Sequence, residues 1–126
     1  MSKSTTHTDR APAAIGPYSQ SVKIGSILYT SGQIPLVPES MQVIEGDITA
    51  QTQQVFKNLS AVAQAYDATL DDCVKLTIFM TNLADFDAVN EVMKAYVNPP
   101  YPARSTVQVA ALPKNVEIEI EAILSL

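Results

Sequence analysis

Residues 116–124 read Val-Glu-Ile-Glu-Ile-Glu-Ala-Ile-Leu, and no other stretch constrains the fold as tightly. Side chains of a strand point to alternate faces, so this period of two predicts a strand with one buried and one wet face. Val116, Ile118, Ile120, Ala122 and Leu124 share the apolar face, and Glu117, Glu119 and Glu121 the other. Residues 101–109 also alternate, with Arg104, Thr106 and Gln108 on one side and Ser105, Val107 and Val109 on the opposite one. The two runs predict a hairpin with Val109 against Val116 and Val107 against Ile118. That register sets Thr106 against Glu119 and Arg104 against Glu121, one diagonal step from Glu119. An arginine beside carboxylates is either a surface ion pair, worth about 0–1 kcal/mol, or part of a site.

With 126 residues the chain makes one domain, residues 1–126, and buries enough surface to fold without staples. Its net charge of −5 and lack of any Lys/Arg cluster exclude the counterion release that drives nucleic-acid binding. One cysteine, Cys73, permits no internal disulfide, and with one histidine, His7, it provides none of the usual zinc constellations. Cys73 lies beside Asp71 and Asp72, which oppose a thiolate, so it reads as packing. Residues 1–10 are a polar lead with no apolar signal-peptide core, expected to be free to move, and no run is apolar enough to span a membrane. A reducing, cytoplasmic setting is the expectation.

Residues 18–24 alternate up to Gly25-Ser26, a two-residue loop suited to a type II′ hairpin. The pairing runs Ile24 with Ile27, Val22 with Tyr29, Gln20 with Ser31 and Tyr18 with Gln33. Pro35 and Pro38 break the second strand of this hairpin, so residues 36–46 read as a loop or a short extended segment. From Ile48 the period becomes helical, with Val55, Leu59, Val62, Ala63 and Tyr66 on one stripe and Asp47 or Thr49 as cap. Val74, Leu76, Ile78 and Met80 form the apolar face of another strand. Asn82 or Asp85 caps a second helix with the stripe Phe86, Val89, Val92, Met93 and Tyr96, stopped by Pro99-Pro100. Two helices must bury their stripes on one face of a mixed sheet, a single two-layer α+β domain. The sheet's other face, a mixture of Thr, Ser, Gln, Tyr and Glu with some apolar residues, calls for a subunit interface.

Several of these residues suit chemistry. Arg104 follows Pro102-Ala103 at a strand start, and its fork suits a carboxylate held through two bonds. Glu119, if partly buried, can orient or deprotonate a water, though spacing does not choose between it, Glu117 and Glu121. Tyr18 can cover a small ligand or simply pack. Ser31-Gly32 allows close backbone approach or merely turns the chain, and Asn90 interrupts the apolar run of the second helix.

Together the motifs resemble the RidA/YjgF family of reactive-intermediate deaminases, the 2-iminobutanoate/2-iminopropanoate deaminases. They are Ala-Pro-Ala-Ala-Ile-Gly-Pro-Tyr-Ser-Gln at 11–20, Thr-Ser-Gly-Gln-Ile-Pro at 30–35, Pro-Ala-Arg-Ser at 102–105, Leu-Pro-Lys at 112–114 and Ile-Glu-Ile-Glu-Ala-Ile at 118–123. The resemblance covers residues 11–123. It implies a chorismate-mutase-like fold and a homotrimer with ligand clefts between subunits, which would account for the half-polar sheet face. It implies no metal and no cofactor. Arg104 matches the carboxylate-binding arginine and Glu119 the water-associated acid. Tyr18, Ser31, Gly32 and Asn90 match cleft positions, and backbone near Thr106 joins them. The implied reaction is hydrolysis of a 2-imino acid to a 2-oxo acid and ammonia. Two positions depart from the pattern: Ala111 where many members carry arginine, and Thr106 where many carry cysteine. The family also includes proteins described as regulators and ribonucleases, so a 2-oxo-acid-binding regulator and an endoribonuclease are the alternative readings.

Overall fold

A computed structural model describes residues 2–126. Ser21–Ile24 (β1) and Ile27–Thr30 (β2) pair as the hairpin that Gly25-Ser26 predicts, with Ile24 opposite Ile27 and Val22 opposite Tyr29. Gly25 takes φ +60°, the positive value a type II′ turn needs at its first loop residue. The ladder ends sooner than expected. Ser31 N still donates to Gln20 O at 2.9 Å, but Gln33 turns away from Tyr18 and exchanges backbone hydrogen bonds with Ile120 at 2.8 and 3.1 Å. Residues 36–46 hold a small separate hairpin, Leu36–Val37 (β3) with Gln42–Val43 (β4).

Helix α1 spans Ile48–Gln64. Of the two expected caps Asp47 is the one used, its side chain accepting from Ala50 N at 3.1 Å. Val55, Leu59, Val62 and Ala63 are buried, as their stripe predicts, and Tyr66 lies just beyond the helix. Cys73–Met80 (β5) contains an irregularity between Cys73 and Lys75 that removes Val74 from the buried face. Val74 is 47% exposed, and Cys73 takes its place inside. Asn82 caps a short 3-10 turn, Leu83–Asp85, which leads directly into α2 at Phe86–Tyr96.

The largest correction concerns Ala103–Gln108 (β6) and Ile118–Ser125 (β7), which do not pair with each other. The sheet order is β1-β2-β7-β5-β6, so β5 lies between them. β6 runs parallel to β5, with Leu76 opposite Arg104 and Phe79 opposite Val107. The reason is the crossover: strand, helix and strand in succession return the chain parallel to its start, and α2 carries β6 to the far edge. Residues 109–117 then pass β5 before β7 inserts antiparallel between β2 and β5.

The alternation of β7 itself holds, since Val116, Ile118, Ile120, Ala122 and Leu124 are all buried. Ile118, Ile120, Ala122 and Leu124 join Leu28, Leu76, Ile78 and Met80 in one core with Val55, Phe56 and Leu59 of α1 and Val89, Val92 and Met93 of α2. Both helices therefore cover one face of a mixed sheet. The register places Val22, Tyr29, Ile123, Phe79 and Val107 on the other face, where Tyr29 is 48% and Val107 42% exposed. The polar lead is tied to the domain rather than free. Ser4 bridges Lys23 through two backbone bonds, and the buried Gln20 amide binds Thr8 N, Thr8 O and Pro12 O at 2.8–2.9 Å. Among the described residues no helix is long and apolar enough to cross a membrane.

Candidate active site

All the expected site residues except Thr106 divide between two cavities. Arg104 lines the first, of about 450 Å³, with Asn90, Met93, Lys94, Tyr101 and the carboxylates of Asp87 and Glu91. Arg104 stands next to Leu76 on the sheet edge, on the helix side, so its stem runs along α2. Nη1 donates to Asn90 Oδ1 at 2.6 Å and to Met93 Sδ at 3.7 Å, and Cζ lies 5.0 Å from the centre of the Phe86 ring. Among the described residues no carboxylate pairs with it; the ion pairs are His7 with Asp9 and Lys94 with Glu91. The ion pair with Glu121 or Glu119 that the hairpin register implied does not form.

Tyr18, Ser31, Gly32 and Glu119 line the second cavity, of about 510 Å³, together with Ile15, Ile34, Met41 and Lys114. Here the segment just after β2 meets β7 at the Gln33–Ile120 bridge, which puts Gly32 against the Glu119 side chain. A Cβ on Gly32 would overlap Glu119 Oε2 and lie 2.9 Å from Cδ, so glycine is what makes room for the acid. Burial holds the Glu119 carboxyl above its ordinary range, and the neighbouring Glu121 raises it further. The three glutamates are thus distinguished by surroundings that spacing could not show. Glu117 is half-buried but binds Gln51 through side chain and backbone, Glu121 is exposed, and Glu119 is half-buried at the wall of the second cavity.

Tyr18 is 53% exposed, and its hydroxyl accepts from Ile15 N at 3.3 Å. The Ser31 hydroxyl is committed to Ser19 O. Thr106 shares the Arg104 face but lines neither cavity; its Oγ1 is buried with no hydrogen-bond partner among the described residues. Asn90 has its carbonyl oxygen occupied by Arg104, so its first task is to hold that side chain. Reading the sequence missed Gln20, whose amide secures the loop carrying Pro12 and Ala13 along the second cavity, and Lys114, held at φ +55° on its rim. Cys73 is buried and its thiol pushed up to about 12, by burial first and then Asp72 and Asp71, which fits packing rather than catalysis.

The two cavities belong to opposite faces of one sheet. Arg104, Leu76 and Ala122 are neighbours across the strands, as are Val107, Phe79 and Glu119 three residues along. An odd step reverses the face, and two strand spacings with three residues of rise separate the Arg104 and Glu119 Cα atoms by about 14 Å. Within one chain the guanidinium and the carboxylate therefore line different cavities.

Residues 8–125 match the family model described as Endoribonuclease L-PSP. The chain is 49% identical over 126 residues to the 2-iminobutanoate/2-iminopropanoate deaminase of Salmonella typhimurium, covering 98% of this chain and 97% of that one. The crystal structure of RidA from an Antarctic Psychrobacter superposes with a TM-score of 0.94 at 50% identity, over 98% of this chain and 99% of that one. The structure of Escherichia coli TdcF with bound serine is similar at a TM-score of 0.91 and 42% identity, over 98% of each chain.

Proposed function

This chain belongs to the Endoribonuclease L-PSP family, that of the RidA/YjgF reactive-intermediate deaminases, and from that premise we propose that it hydrolyses 2-iminobutanoate and 2-iminopropanoate to 2-oxo acids and ammonia. In class it is an imine/enamine deaminase. The observation that carries the finer reading is the separation of charge: an arginine held by uncharged groups in one cavity, and a half-buried carboxylate with no cation partner among the described residues in the other. A 2-imino acid needs both, a cation for its carboxylate and a base for the attacking water.

The two meet if the sheet face bearing Tyr29, Phe79 and Val107 is covered by further copies of the chain. A homotrimer then closes each cleft with Arg104 and Asn90 from one subunit and Tyr18, Ser31, Gly32 and Glu119 from its neighbour. Arg104 binds the substrate carboxylate through its free edge. Glu119 takes a proton from water as the water oxygen adds to C2, and the C=N double bond becomes the single bond of a carbinolamine. Glu119 returns that proton to the former imine nitrogen, and a second proton passed from the carbinolamine hydroxyl through Glu119 to the same nitrogen lets the C–N bond break, so that ammonia leaves as the C2–O bond becomes a carbonyl. A carboxyl titrating above its usual range is a stronger base toward water than an ordinary glutamate. Backbone near Ser31 and Thr106 completes the water site. No step calls on a metal or a cofactor, and a chain without disulfides suits the cytoplasm.

The net charge of −5, with Asp87 and Glu91 on the wall of the Arg104 cavity, favours this reading over binding of RNA. The test generates the imine in situ with a pyridoxal-phosphate threonine dehydratase and monitors 2-oxobutanoate release. Acceleration by the wild type, none by Arg104→Ala, inhibition by 2-oxobutanoate and indifference to RNA are expected. Full acceleration by Arg104→Ala at wild-type Tm would overturn the reading.

A further inference from the structure

Three uncharged groups of α2 surround the Arg104 guanidinium: the Asn90 amide, the Met93 thioether and the Phe86 ring. They stand at i, i+4 and i+7 on one stripe of the helix, facing the strand edge that carries Arg104. A carboxylate in any of these positions would hold the arginine equally well but would neutralise it. An amide oxygen, a sulfur and a ring face restrain the cation while leaving its net charge available to an anion. The polar bonds occupy Nη1 only. Nε and Nη2 make no hydrogen bond among the described residues, so one edge of the fork stays free.

Phe86 is out of place as a core residue. It is half-buried, and it is absent from the apolar cluster that contains Val89, Val92 and Met93 of the same helix. Its ring instead lies under the guanidinium carbon, which is 5.0 Å from the ring centre.

We infer that Phe86 is a positioning residue for the deaminase reaction, its ring face fixing the plane of Arg104 so that the free edge of the fork meets the substrate carboxylate. This rests on the reading of Arg104 as the carboxylate anchor. The anchor acts on ground state and transition state alike, so loss of the ring should weaken substrate capture and leave turnover unchanged.

The experiment compares wild type, Phe86→Leu, Phe86→Tyr and Arg104→Ala by KM and kcat for dehydratase-generated imine and by the inhibition constant of 2-oxobutanoate. Phe86→Leu is expected to raise both KM and the inhibition constant about three- to thirty-fold, the range of a cation–π contact, with kcat within about twofold. Phe86→Tyr, which keeps the ring, is expected to restore both, and Tm should hold because the core is not involved. Wild-type KM and inhibition in Phe86→Leu, or a fall in kcat without a change in KM, overturns the assignment of Phe86 while Arg104→Ala still loses binding. Undiminished inhibition of Arg104→Ala by 2-oxobutanoate is a different failure: it removes the anchor reading and the role of Phe86 with it.

Discussion

The two cavities of this chain are opposites in how they treat charge. At the α2–β6 edge a cation is exposed and held by neutral groups. At the β2–β7 junction an anion is half-buried against a glycine, with a second carboxylate rather than a cation beside it. The first arrangement costs the fold little, because the exposed guanidinium keeps its water. The second works against stability, because burial and Glu121 both oppose ionisation of Glu119. An exposed cation among neutral groups is built cheaply, whereas a half-buried carboxylate beside a second acid carries strain.

The most demanding test asks whether the halves come from different subunits. Arg104→Ala and Glu119→Gln proteins should each be inactive, yet subunits mixed one to one through unfolding and refolding should regain activity. If each cleft draws Arg104 from one chain and Glu119 from the next, about a quarter of the clefts in random trimers inherit both intact residues. A site built within one chain gives none. Persistent inactivity of mixed trimers, shown to have exchanged by mass, would break the shared-cleft model.

Glu119→Gln sets function against stability. Removing the base should lower kcat about 10²–10⁴-fold with little change in KM. Because the folded-state pKa is raised, the native protein binds more protons than the unfolded chain between the two values, and stability falls as pH rises through that window. Neutral glutamine escapes that penalty, so Tm at neutral pH should rise slightly. Glu117→Gln should leave kcat alone, since Glu117 serves Gln51. Equal kcat losses at the two positions would mean that the acids act only as bulk charge.

Gly32→Ala sharpens the same half more gently. The added methyl meets the end of a flexible side chain rather than backbone, so Glu119 can swing aside and the domain should lose about 1 kcal/mol or less. The displaced carboxylate should still cost about tenfold in kcat, because water positioning tolerates little movement. Thermal melts and kinetics on one preparation separate the two effects; an unchanged kcat would detach Gly32 from the acid's placement.

Legibility in the sequence divides along the same line. The buried face of β7 is readable because period two reports burial directly, and the caps and stripe of α1 because they are local. The partner of β6 is not readable from its own alternation, since Arg104, Thr106 and Gln108 alternate equally well beside any strand. The missed signal lies in the order of elements: a strand, a helix and a strand over residues 73–108 demand a parallel crossover, which excludes the β6–β7 hairpin. Gly32 reads as a place of close approach, but the approaching group, Glu119, is 87 residues away in sequence and appears only once Gln33 pairs with Ile120. Phe86 falls on a core stripe in the sequence because an aromatic residue at helical spacing has the same pattern whether it packs on leucines or on a guanidinium.

The smallest predicted effect concerns pH. Glu121 is exposed, yet it is one of the two causes that raise the Glu119 pKa, the lesser one after burial. If Glu119 acts as carboxylate, activity fails as pH falls through its raised pKa, so the acidic limb of the kcat profile should lie above the ordinary glutamate range. Glu121→Gln removes the repulsion but not the burial, and should move that limb to lower pH while leaving the plateau unchanged. Because Glu121 is solvated, salt should mimic the substitution in the wild type and do little in the variant. A limb that stays fixed under both changes would assign the titration to a group other than Glu119, and the proton-moving half of the site would have to be sought elsewhere along the second cavity.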